Sequence, residues 1–239
     1  MGMTVKLPKL YAIADRETLD VHGLSVREFA EELREGGVRL LQYRDKKNGP
    51  QEVLRAAGEI AAAFGDAGAT LILNDRADLA ALLGWGVHVG QGDLSVADAR
   101  AIVRPHSSRQ EPRDEWGTAV VGVSTHIVEQ VVAAETGVTV PPMSENPDMG
   151  HPDCADYIAI GPVFRTSTKS DAEAVVGLEG VRRARQLTSK PLVGIGGIGL
   201  GNARQVVEAG ADSVAVISGL LVEGRRVRDV VRDFLEILG

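Results

Sequence analysis

Two short apolar runs in this sequence lead directly into a carboxylate. Leu71-Ile72-Leu73 is followed by Asn74-Asp75, and Val87-His88-Val89 by Gly90-Gln91-Gly92-Asp93. Aspartates at the ends of neighbouring strands can share a divalent cation. Magnesium suits that supply, because it takes one or two protein carboxylates together with substrate phosphates and keeps its other positions for water. Read alone, Asn74-Asp75 serves equally well as a helix N-cap before the segment starting near Arg76. The second carboxylate, Asp93, is what makes Asp75 and Asp93 a candidate metal pair. No Cys/His cluster competes for a softer metal: Cys154 is the single cysteine, His151 falls in a polar loop, and His88, in mid-strand, reads as a packed core residue.

Donors for an anion recur at equivalent places. In Gln42-Tyr43-Arg44-Asp45-Lys46, period-two alternation puts Gln42, Arg44 and Lys46 on one side. The trio is either an anion grip or a solvated basic turn. Ser124-Thr125-His126 offers hydroxyls that either cap the next helix or donate to a bound anion. The stretch Gly161-Pro162-Val163-Phe164-Arg165-Thr166-Ser167-Thr168-Lys169 is dense in hydroxyl and cationic donors, so phosphate binding is favoured over a merely polar surface loop. Gly194-Ile195-Gly196-Gly197-Ile198-Gly199 and Ile217-Ser218-Gly219 complete the series. Glycine there lets backbone N–H groups approach phosphate oxygens, and a following helix N-terminus adds partial positive charge. A tight turn explains either stretch alone, but two of them beside a hydroxyl loop point to a phosphate site.

What must position these residues is a strand-then-helix rhythm. Eight apolar runs are expected as strands: Leu10–Ala14, Val38–Tyr43, Thr70–Leu73, Gly86–Val89, Ala119–Val123, Tyr157–Ile160, Leu192–Ile195 and Ser213–Ile217. Between them, Val26, Phe29, Ala30 and Leu33 line one helical face, and Val53, Ala57, Ile60 and Phe64 another. Val227, Val230, Val231, Phe234, Leu235 and Leu238 give a last helix that covers the closing strand. Glycine in Gly36-Gly37-Val38, Ala67-Gly68-Ala69 and Ala209-Gly210-Ala211 supplies the backbone angles that end a helix. Eight such units without a composition break predict one α/β domain over residues 1–239, a (β/α)8 TIM barrel, with a doubly wound open sheet as the structural alternative. In a barrel, chemistry collects in the loops after strands, where all the motifs above lie. The polar stretches Arg104–Gly117 and Gly137–Asp153 precede strands and belong to the opposite, stability face.

Composition sets the outer bounds. Of 239 residues, 44% are hydrophobic and 25% charged, with 28 glycines and only 4% aromatics, which suits a soluble Val/Ile/Leu/Ala core with many tight turns. A formal net charge of -7 disfavours a nucleic-acid partner, whose binding rests on basic patches. Cys154 has no partner for an internal disulfide, no run of eighteen apolar residues would span a membrane, and Met1–Pro8 lacks a signal peptide's apolar stretch. A cytoplasmic protein acting on small-molecule substrates is expected, with a homo-oligomer left open.

The ordered set Gln42-x-Arg44-x-Lys46, Asn74-Asp75, Gly90-Gln91-x-Asp93, Ser124, Thr166-x-Thr168-Lys169, Gly196-Gly197 and Ile217-Ser218 resembles the thiamine phosphate synthase family along nearly the whole chain. The resemblance implies a transferase that couples hydroxymethylpyrimidine diphosphate to thiazole phosphate, giving thiamine phosphate and pyrophosphate with magnesium as cofactor. It implies Asp75 and Asp93 as metal ligands; Arg44, Lys46, Asn74, Ser124 and Lys169 on the diphosphate; Gln42 on the pyrimidine; and Thr166, Thr168, Gly197, Ile217 and Ser218 on the thiazole phosphate. It implies that Arg44, Lys46, Lys169 and Ser124 carry the catalytic charge stabilisation. Arg165 departs from the family pattern, in which proline is common at that place.

Two other functions fit parts of this inventory. A thiazole tautomerase of the same fold would move protons, with His126 as a candidate, and would need neither a diphosphate grip nor magnesium. A non-catalytic phosphate-ligand barrel would need the glycine and threonine loops but not Asp75 and Asp93. Fold alone does not separate these, so the site must.

Overall fold

Parity explains how so short a set of strands builds both a core and a site. In the computed structural model, which describes residues 7–103, 119–126, 130–131, 155–166 and 174–239, eight parallel strands pair in sequence order and β8 closes onto β1. They are β1 (Leu10–Asp15), β2 (Leu40–Arg44), β3 (Thr70–Asn74), β4 (Gly86–Val89), β5 (Val121–Thr125), β6 (Tyr157–Ile160), β7 (Leu192–Ile195) and β8 (Ser213–Val216). The TIM barrel expected from the rhythm is the fold observed, and the open sheet is excluded by the β1–β8 ladder, in which Leu10 faces Val214. Among the described residues the helices are α1 (Arg16–Val21), α2 (Val26–Gly36), α3 (Pro50–Phe64), α4 (Ala77–Leu83), α5 (Val96–Val103), α6 (Gly177–Leu187), α7 (Ala203–Glu208) and α8 (Val227–Leu238). None of them is long and apolar enough to cross a membrane. The polar stretches Arg104–Gly117 and Gly137–Asp153 lie outside the described residues.

Successive strand residues point to opposite faces, and the core divides accordingly. Tyr11, Ile13, Leu40, Ile72, Val120, Tyr157, Ala159, Val193 and Ala215 fill the barrel interior. Leu10, Ala12, Leu41, Tyr43, Leu73, Val87, Ile158 and Val214 pack outward against the helices. Gly122 takes an inward place because the Tyr157 ring occupies the space beside it: a β-carbon there would fall 2.0 Å from Cζ of that ring.

The helix ends obey the local code. Ser25 and Glu28 form a reciprocal capping box on α2, and Gly37 ends that helix in the left-handed region at φ 102°. Gly68 and Gly210 also have positive φ. At the face opposite the site, a device appears twice. Asp156, just before β6, accepts the Val121 N–H of β5 at 2.7 Å and the guanidinium of Arg100 from α5 at 2.5 Å. Asp212, just before β8, accepts the Leu192 N–H of β7 and the guanidinium of Arg185 from α6, both at 2.8 Å. Each carboxylate ties a strand to its neighbour and to a covering helix.

The barrel closes where α2 meets α8. Gly36 allows this approach, since a β-carbon there would lie 2.7 Å from Cβ and Cγ1 of Val231 and 3.0 Å from the Arg228 carbonyl. Gly36→Ala is therefore expected to overpack the seam and cost about 1–3 kcal/mol, read as a lower urea midpoint. An unchanged midpoint would show that the two helices can separate freely.

Candidate active site

Polar contacts line the carboxyl ends of β1 to β5. Parity turns Asp15 inward behind Tyr11 and Ile13, and it is only 3% exposed. Its Oδ2 accepts the Thr18 N–H at 3.1 Å, capping α1, and the Thr18 hydroxyl at 2.6 Å. Its Oδ1 accepts Nη1 of Arg44 from β2. Arg44 is thus aimed by a carboxylate that a helix end holds still. Lys46 Nζ lies 2.9 Å from Oδ2 of Asp75, and the Asp75 carboxyl stands beside that of Asp93. Asp93 is fixed from behind, its Oδ2 accepting the Gly90 N–H at 2.9 Å. Gln91 Nε2 then crosses to the Ser124 carbonyl at 2.5 Å, and Ser124 Oγ lies 2.8 Å from His88 Nε2.

The surroundings of Asp75 disfavour its charge. Burial, and then the adjoining Asp93 carboxyl, raise the pKa of Asp75, while Lys46 pulls the other way. Carboxyl groups in contact resist double ionisation unless positive charge arrives. Among the described residues, Asp75 is the only non-glycine with positive φ, at 61°. Its N–H is held by the His88 carbonyl at 2.8 Å. Backbone in that region costs free energy and is kept where the surroundings impose it. The cap reading of Asn74-Asp75 does not hold: Arg76 is the N-cap of α4, with no side-chain cap bond.

The other half of the rim is a cavity at the ends of β5 to β8, open to solvent. Ser124, His126, Thr166, Gly197, Ile217 and Ser218 are among its lining residues. Its floor is backbone. Gly196 and Gly197 take φ of 97° and 65°, and β-carbons on them would fall 2.6 Å from Pro162 Cα and the Arg165 carbonyl. Across the cavity a 3-10 turn, Ser218–Leu220, follows β8. Its Gly219 would bring a β-carbon 2.3 Å from the Ile198 carbonyl. Asn202 braces the loop, accepting the Gly199 N–H at 2.8 Å and donating to the Gly197 carbonyl at 3.0 Å. His126 Nδ1–H donates to the Gly161 carbonyl at 3.0 Å.

The sequence-derived set falls into place unevenly. Arg44 pairs with Asp15, Lys46 with Asp75 beside Asp93, and Gln91 reaches Ser124, while Ser124, Thr166, Gly197, Ile217 and Ser218 share the cavity. Ser124, the last residue but one of β5, belongs to both. It lies within the strand, which begins at Val121 and not at Ala119 as the apolar run suggested. Asn74 ends β3, half-buried. Gln42 lies below the rim at 3% exposure, its Nε2 donating to the Tyr11 hydroxyl at 2.7 Å. Thr168 and Lys169 lie outside the described residues. Sequence reading missed Asp15, Tyr11, Tyr157 and Asn202. Asp15 had a signal, because the alternation used for Gln42 and Arg44 also puts it inside.

A rim that sets a carboxylate pair with cations beside a glycine-floored cavity matches the order of motifs, and residues 10–220 match the family described as thiamine monophosphate synthase. The chain belongs to that family. A thiamine-phosphate synthase of Koribacter versatilis is 44% identical, over 100% of this chain and 99% of that protein. One of Chloroflexus aurantiacus is 36% identical, over 89% of this chain and 85% of that one. The solved thiamine phosphate pyrophosphorylase of Pyrococcus furiosus superposes with a TM-score of 0.73 at 27% identity, covering 96% and 95% of the two chains. As a thiamine monophosphate synthase by family, the chain is an enzyme of the transferase class, the class expected from its sequence. Arg165, the departure from the family pattern, is exposed, and its carbonyl closes over Gly197.

Proposed function

We propose that this rim joins hydroxymethylpyrimidine diphosphate to thiazole phosphate by the following division of labour. Arg44, Lys46, Asn74, Ser124 and Lys169 grip the diphosphate, and Gln42 helps to place the pyrimidine. Thr166, Thr168, Gly197, Ile217 and Ser218 hold the thiazole phosphate. The observation that carries the reading is Asp75 standing beside Asp93 and Lys46, on the same rim as the glycine-floored cavity that Ser124 lines.

No nucleophilic side chain is required. The thiazole nitrogen contributes the electron pair of the new C–N bond, and the C–O bond to the diphosphate breaks with its pair leaving on pyrophosphate. The aminopyrimidine ring supplies electrons to the methylene as that bond loosens. Arg44 and Lys46 stand as fixed charges where the leaving group gathers its own, and preorganised charge of this kind is commonly the largest catalytic contribution. Asp15 keeps Arg44 from collapsing onto the metal carboxylates. Binding both substrates across Ser124 adds proximity. Asp75 and Asp93 fit magnesium, which when bound would supply further positive charge to the departing pyrophosphate.

Purified protein given both substrates is expected to release pyrophosphate only when magnesium is added. Because a metal needs both carboxylates ionised while burial and Asp93 raise the Asp75 pKa, cation binding competes with protonation of Asp75. Apparent magnesium affinity should therefore rise with pH through the raised Asp75 range, and a flat profile would remove Asp75 from the site. A tautomerase or a mere binder would release no pyrophosphate at any pH.

A further inference from the structure

Beneath the rim runs a buried file of polar side chains whose two ends, Gln42 and Ser124, belong to the proposed site and whose middle members, Tyr11, Tyr157 and His88, have no part in the reaction as described. Gln42 Nε2 donates to the Tyr11 hydroxyl at 2.7 Å, the Tyr11 and Tyr157 hydroxyls are 2.8 Å apart, Tyr157 Oη is 2.9 Å from His88 Nδ1, and His88 Nε2 is 2.8 Å from Ser124 Oγ. It crosses the barrel interior from β2 to β5. Tyr11 and Tyr157 are at most 1% exposed, and His88 is 7% exposed. The rings are packed as well as bonded: Tyr11 meets Tyr157 edge-on with centroids 5.9 Å apart, and His88 stacks on Tyr157 at 5.6 Å. Gly122, across from Tyr157, leaves the room this packing needs.

Such a file has a direction, because each hydroxyl carries one hydrogen and each neutral imidazole has one donor and one acceptor nitrogen. Burial raises the pKa of both tyrosines, so both keep their hydrogens. With the Gln42 amide donating to Tyr11, the Tyr11 hydrogen is directed to Tyr157 and the Tyr157 hydrogen to His88 Nδ1. His88 must then carry its proton on Nε2 and donate to Ser124 Oγ. The Ser124 hydrogen, displaced from that side, is left to point into the cavity that Ser124 lines.

We infer that His88 and Tyr157 are positioning residues that hold the Nε2–H tautomer of His88 and thereby present Ser124 as a hydrogen-bond donor to the diphosphate. Its function rests on the site assignment above, but the tautomer does not. The polarity is set at Gln42, on the opposite wall of the barrel, and reaches the rim through hydroxyl groups shielded from water, where hydrogen bonds reinforce one another. A serine free to rotate would offer its lone pairs as often as its hydrogen. Fixed as a donor, it complements an anion and not a cation.

Nitrogen NMR of protein labelled in its histidines, with the His88 signal identified by its loss in His88→Gln, reads the tautomer directly. The expected result is a protonated Nε2 and an unprotonated Nδ1 in the protein without substrates. A proton on Nδ1 would overturn the inference, since the file would then run the other way and make Ser124 donate to His88. Turnover supplies a second readout. Glutamine places an amide N–H at about the reach of Nε2, whereas asparagine reaches only to Nδ1. His88→Gln should stay within about threefold of the parent kcat, and His88→Asn should lose about tenfold or more, with the KM for thiazole phosphate unmoved in both. Equal losses in the two variants would reduce His88 to a packing residue. If the parent protein releases no pyrophosphate while His88 still shows the Nε2–H tautomer, the proposed reaction fails and the polarised file stands.

Discussion

Asp93→Ala is expected to lower kcat by about 100-fold or more while leaving the affinity for thiazole phosphate within about twofold. The asymmetry follows from where Asp93 stands. It meets Asp75 and is held by the Gly90 N–H on the β3–β4 side of the rim, whereas the cavity spans the ends of β5 to β8. Removing the carboxylate takes away half of the proposed cation site and leaves Asp75 to Lys46, so the leaving group should meet less positive charge. The phosphate loops are not touched. Steady-state kinetics with each substrate varied in turn, together with calorimetric titration of thiazole phosphate, measure the two quantities separately. Equal losses in both would mean that Asp93 organises the whole rim and not the metal.

The barrel was legible because its outward and inward strand positions are both apolar along most of their length. Runs such as Tyr157–Ile160 and Leu192–Ile195 stand out from their surroundings and end where the observed strands end. Boundaries blurred where burial outlasts the ladder: Val38 is fully buried yet lies ahead of β2, its N–H taken by the Leu33 carbonyl in the turn that ends α2. The rim was legible for a different reason, since charged residues at strand ends have little structural cause to be there.

What escaped the sequence is whatever depends on the partner across the barrel. Tyr11 and Tyr157 look like ordinary core aromatics until their hydroxyls are seen to meet, and His88 looks like a packed histidine until both ring nitrogens are seen to be engaged. Asp75 was ambiguous because a cap and a metal ligand use the same residue type. Its left-handed backbone, which sets it apart from an N-cap, is held by β4 through the His88 carbonyl and leaves no local mark.

The complementary experiment to Asp93→Ala acts on the other half of the rim, where the proposed ligand groups are backbone and only a glycine substitution can disturb them. Gly197 sits at φ 65°, and an added β-carbon would lie 2.6 Å from the Arg165 carbonyl and 2.8 Å from Phe164 Cβ. Both strain and collision push the loop out of shape, in a region whose neighbours Gly196 and Asn202 have no slack to absorb it. Charge-assisted hydrogen bonds to a phosphate are worth about 1.5–3 kcal/mol each, so losing one or two should raise the KM for thiazole phosphate by about 100-fold. The part of the grip on the pyrimidine diphosphate built from Arg44, Lys46 and the carboxylate pair should stay within about threefold, because additivity holds for groups that do not touch one another. Ser124 is the one residue common to both halves, which makes it the internal control. Ser124→Ala should impair kcat without reproducing the Gly197→Ala rise in KM. If Gly197→Ala instead weakens both substrates alike, the halves of the rim are one cooperative unit and the division of labour between them is wrong.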